Sequence, residues 1–80
     1  MVALFEGDIL GQMLPQDKYG SLDGKELRDF SYIYTMSKVV KELVVEGPVV
    51  LQNDPEGQEV FLFLQPIVEE GAYLGQVAVA

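Results

Sequence analysis

Val60-Phe61-Leu62-Phe63-Leu64 is apolar at all five positions, and no other stretch constrains the fold of this chain as much. Side chains of a strand point alternately to opposite faces, so a strand with one wet face alternates. A run without alternation is buried on both faces or lies centrally in its sheet. Covering both faces takes material, and the chain offers 80 residues with no Cys and no His. One core fits in that length, with neither a disulfide nor a Cys/His metal site to supplement it. Such a domain is expected to find further stability at a subunit interface.

The rest of the chain organises around that run as a single domain, residues 1–80, without linker, internal repeat or low-complexity segment. Residues 2–10 read as a first strand, with Ala3, Phe5, Gly7 and Ile9 on the better core face. Residues 11–24 carry Pro15, Gly20, Ser21 and Gly24 and read as a loop. Asp23 followed by Glu26 has capping-box form, which predicts a helix over 24–45 that stops at Gly47-Pro48. On a helical wheel Arg28, Ser31, Thr35, Lys38, Glu42 and Glu46 fall within about 80° of one another, and most other positions are apolar. That arc is wider than one face of a small sheet can cover. The β-branched Val39, Val40, Val44 and Val45 oppose helix in its last turns, and strand is the competing reading there.

After Pro48, residues 49–52 predict a short strand and residues 53–58 a turn. Residues 59–68 predict a long strand, and residues 73–80 a last strand beyond the turn at Glu69-Glu70-Gly71-Ala72. The expected fold class is α+β, one long helix packed on a four-stranded, mainly antiparallel sheet in the order β-α-β-β-β. Two features predict a homodimer. One is the over-wide helical arc, and the other is the terminal strand Gln76-Val77-Ala78-Val79-Ala80, which lacks a protecting charge. Tyr32, Tyr34, Met36, Val39, Leu43 and Tyr73 are the candidate interface residues. A tyrosine ring with a polar tip suits interfaces, and the others extend the helical arc.

Composition narrows the function. Without His and Cys, the imidazole base, the thiolate nucleophile and the usual zinc sites are excluded from the chain itself. Thirteen acidic against five basic residues give a formal charge of −8. Phosphate binding is carried by clustered Lys and Arg, so the expectation is no direct nucleic acid and a basic protein partner instead. The acidic turn with Asn53, Asp54, Glu56, Gln58 and Glu59 is too short for a calcium loop and has ordinary turn chemistry. The pairs Glu69-Glu70 and Glu6 with Asp8 lack anything to raise one pKa, which leaves edge protection as their use. Gly7 and Gly11 do not complete a nucleotide fingerprint. No catalytic residue, metal or cofactor is therefore expected.

No apolar segment is long enough to span a bilayer, and Glu6 and Asp8 interrupt the first apolar run, so no membrane association and a cytoplasmic location are expected. The leading functional expectation is a non-catalytic interaction module, a small acidic regulator or adaptor. The competing one is a small acidic inhibitor, phage-type or immunity-type, that mimics nucleic acid in blocking an enzyme that handles it.

Overall fold

The computed structural model describes residues 1–51 and 54–80. Gln52, expected to end a strand, and Asn53, expected to open a turn, lie outside the described residues. Strand β1 (Val2–Glu6) turns at Gly7-Asp8 into β2 (Ile9–Leu14). Gly7 takes a φ of +57°, the positive value that a two-residue hairpin loop needs and that glycine supplies without steric cost. A short helix α1 (Gln16–Tyr19) and two single 3-10 turns, Gly20–Leu22 and Leu27–Asp29, lead to helix α2 (Tyr32–Val40). Strands β3 (Val44–Val50), β4 (Glu59–Glu69) and β5 (Ala72–Val79) follow.

The five strands form one antiparallel sheet in the order β2-β1-β5-β4-β3. The α+β class and the antiparallel sheet agree with the sequence. The single long helix and the count of four strands do not. Residues 24–27 start no α-helix because their backbone is engaged with Asp8 and with the start of β2. Gly24 N–H donates to Leu10 O at 2.7 Å, Leu10 N–H to Lys25 O at 2.8 Å, and Leu27 N–H to Asp8 O at 2.8 Å. The capping box is real but displaced. It joins Glu26 and Asp29, the Asp29 carboxylate accepting from Glu26 N–H at 2.9 Å, and it opens only one 3-10 turn.

At the other end, Lys41 adopts the left-handed conformation and closes α2. The β-branched residues Val44 and Val45 then pair with Leu64 and Phe63 of β4. Gly47-Pro48 is accordingly no helix stop but an irregularity within β3, where the register shifts between Glu46 and Val49. The fifth strand is β2, made from residues 9–14 that the sequence assigns partly to the first strand and partly to a loop. Ile9 emerges beyond the hairpin on the face opposite the core, whereas Leu10 is buried.

One face of the sheet carries the core. Ala3, Phe5, Leu10, Met13, Leu62, Leu64 and Ala78 point toward Tyr19, Leu22, Leu27, Ile33 and Tyr34 of the helical segment. Phe5, Phe30 and Tyr34 stack at its centre with ring centroids 5.3–5.7 Å apart. Burial, with a contribution from nearby Tyr19, pushes the Tyr34 hydroxyl up to about 12 from an ordinary 10.0. A raised acid is favoured in its neutral form by folding, so its stabilisation is complete below pH 10 and is lost as pH rises toward 12. Two units correspond to roughly 2–3 kcal/mol. Denaturant titrations at pH 8 and 11 should therefore show the wild type losing more stability than Tyr34→Phe, and equal losses would refute the assignment.

Candidate functional site

Among the described residues no helix lies over the second face of the sheet. Cross-strand partners share a face, so the register defines its rows. Leu14, Val2, Val79, Phe63 and Val45 stand in line across all five strands. Each is 37–50% exposed. A second row runs Gln12, Leu4, Val77 and Gln65, and a third Ile9, Glu6, Gly75 and Ile67. Within these rows Glu6 alone is charged. Phe61, two residues from Phe63 on β4, extends the surface and is 58% exposed. Its ring lies against Gly47 of β3, where an added Cβ would come within 2.6 Å of Phe61 Cδ1. Glycine at that position lets the ring rest on the strand backbone.

The run Val60–Leu64 is thus resolved into two functions. Leu62 and Leu64 are core, whereas Phe61 and Phe63 belong to the bare face. Contiguous apolar surface of this extent is uncommon on monomeric soluble proteins and marks contact sites. Neither edge offers an uninterrupted ladder for strand addition. Residues 24–27 take up the start of the outer edge of β2, pairing with Asp8 and Leu10, and β3 is broken by its register shift and by Pro48, which has no N–H to donate. The open element is the face. The terminal strand, expected to be an unprotected edge, is in fact β5 at the centre of the sheet, between β1 and β4.

The six residues singled out in the sequence divide. Tyr32, Met36, Val39 and Leu43 are exposed along the outer side of α2 and just beyond its end, a second apolar stretch on the opposite side of the molecule. Tyr34 is buried among the aromatic rings of the core. Tyr73 is half-buried, and its hydroxyl donates to Gly7 O at 2.8 Å and accepts from Gln76 Nε2 at 3.2 Å. Lys38 Nζ sits 5.5 Å from the Tyr73 ring centroid and 2.9 Å from Asp8 Oδ1, tying α2 to the β1–β2 turn. Sequence reasoning missed Val2, Leu4, Leu14, Val77 and Val79. The signal was there, since β1 is apolar at Val2, Ala3, Leu4 and Phe5 without alternation.

Polar chemistry is sparse. Among the described residues no group of three or more acidic side chains is placed to hold a metal ion. In the acidic turn, Asp54 accepts from the N–H groups of Glu56 and Gln58 and pairs with Lys18 at 3.3 Å. Against the desolvation that opposes it, the Glu56 amide, the Lys18 ammonium and the Gln58 amide hold the Asp54 carboxyl below its ordinary value. Under α2, Ser37 Oγ and Gln76 Oε1 are buried without a hydrogen-bond partner among the described residues. No helix among the described residues is long and apolar enough to cross a membrane.

No protein-family model matches the chain, and no curated protein matches its sequence. Among solved structures it is similar to the extracellular ligand binding receptor from Desulfohalobium retbaense DSM5692, with a TM-score of 0.64 and 18% identity. The match covers 98% of this chain and 14% of that one. The chain therefore spans about one seventh of that receptor's length, and the likeness concerns the fold alone.

Proposed function

We propose that this chain is a non-catalytic protein-interaction module, a small acidic regulator or adaptor that pairs with a second copy through its bare sheet face and docks a basic protein partner. The apolar row from Leu14 to Val45 carries the reading. With strands about 4.8 Å apart, five strands of about seven residues each give a projected area on the order of 550 Å², and side-chain relief brings it near the ~800 Å² per partner of a standard interface. Two such faces pack about 10 Å apart, as in a β-sandwich. Burying this face removes apolar surface from water, while the acidic residues elsewhere, at −8 overall, keep the assembly soluble and attract a cationic partner.

Sedimentation equilibrium at micromolar concentration should give twice the 8.9 kDa chain mass. Phe63→Asp places a charge in the middle of the row and should weaken association at least a hundredfold, as expected for an unpaired charge at an interface centre. A wild type that sediments only as 8.9 kDa ends the dimer reading. Host pull-down should return a basic protein whose binding weakens with salt, and fractionation should place the chain in the cytoplasm. Competition by duplex DNA for that same partner would make the chain an inhibitor of a nucleic-acid-handling enzyme instead of an adaptor.

A further inference from the structure

On the helical side of the sheet, α2 leaves a gap. Nine residues of helix reach about 13 Å, whereas five strands spread over roughly 24 Å. Between the start of α2, the end of β3 and the inner face of β4 lies a cavity of about 410 Å³, walled by Met13, Phe30, Tyr34, Val49, Leu51 and Leu62. We propose that this cavity is a binding site for a neutral, flat, two-ring aromatic molecule with one hydrogen-bonding group. The site is on the opposite side from the bare sheet face and does not depend on the interaction reading.

Size, charge and the aromatic wall each select the ligand. An apolar cavity of about 150 Å³ holds a benzene ring, so one of 410 Å³ accommodates two fused rings with a substituent. No charged side chain lines the cavity among the described residues, and an ion entering it would lose hydration without a counter-charge. The chain's net charge of −8 further disfavours anions. One wall is aromatic, with the rings of Phe30 and Tyr34 at 5.3 Å and tilted by 46°, a surface on which a flat π-system can pack edge or face. Two hydroxyl-bearing residues supply polar handles. Tyr34 stays protonated throughout the physiological range. Ser31 is exposed at the mouth, and its side chain makes no capping bond to α2 although it occupies the N-cap position.

The test uses 1-naphthol as the neutral probe and 1-naphthoate as its anionic counterpart, followed by amide chemical-shift mapping on the full chain. Naphthol should shift Phe30, Tyr34, Leu51 and Leu62 saturably, with a Kd on the order of 100 µM, as ligand efficiencies allow for a probe of this size. Naphthoate should bind at least tenfold more weakly. Val49→Trp fills the cavity from its wall and should reduce naphthol affinity at least tenfold. If that variant does not fold, Leu51→Trp at the rim takes its place, and the wild-type map alone decides the location. Shifts centred on Val2, Phe63 and Val79, no saturation to about 1 mM, or equal affinity for naphthoate would each overturn the proposal.

Discussion

Leu64→Ala should cost about 2–5 kcal/mol, the range for removing a fully buried leucine and leaving part of its volume empty. Leu64 is 0% exposed and stands between Ala78 of β5 and Val44 of β3, near the middle of the sheet. For a domain of this length the whole stability is on the order of 4–12 kcal/mol, so the substitution removes a large share of it. The adjacent Phe63 points the other way. Phe63→Ala leaves no cavity in the chain itself, and under dilute conditions it should cost less than half as much as Leu64→Ala. Denaturant melts of the two variants below the association range decide the matter. Equal costs would mean that both faces of β4 are covered within one chain.

Gly75→Ala is expected to be at least as damaging. A Cβ at Gly75 would fall inside the van der Waals envelope of Phe5 O and reach within 3.4 Å of Gly7 N. Both contacts are backbone, which cannot rotate away as a side chain would, so β1 and β5 would have to separate where they meet. Strand glycines mark such close approaches. The variant should lower the melting temperature by more than about 15 °C, corresponding to roughly 3 kcal/mol for a chain of this size, or abolish cooperative melting. Gly11→Ala is the control, because its added Cβ meets only Leu4 O at an ordinary 3.5 Å. A Gly75→Ala protein that melts like the wild type would show that the strands have room to part.

The β4 run, the turn before β5 and the antiparallel C-terminal strands were legible because each is encoded locally. Glu70 and Gly71 both take positive φ, at 51° and 79°, as their place in a tight hairpin demands. The helix was not legible, for a non-local reason. Residues 24–27 carry a sound start signal, but amides and a carbonyl among them are taken by Asp8 and Leu10, at and just before the start of β2 and far earlier in the chain. The missed β1–β2 turn has a different cause. Gly7-Asp8 is a known hairpin dipeptide, yet apolar residues on both sides let one strand be read straight through it. The exposed apolar surface was half legible. Periodicity found the outer side of α2, but the bare sheet face depends on which side the helices chose, and strand alternation alone does not record that choice.

The sheet order has a consequence for how the chain assembles. Strand β5 joins the hairpin β1–β2 to the hairpin β3–β4 and is the last of the five in sequence. Until it is made, each hairpin is a two-stranded ribbon without its neighbour, and isolated ribbons are marginal in water. The pairings of β1 with β5, such as Val2 with Val79, span nearly the whole chain, so the loop they close is long and its entropy is paid late. During synthesis the apolar faces of both ribbons stay open to other chains until residues 72–79 emerge. This protein should therefore fold in one late step, and that interval is when it is most exposed to aggregation or to capture by a chaperone.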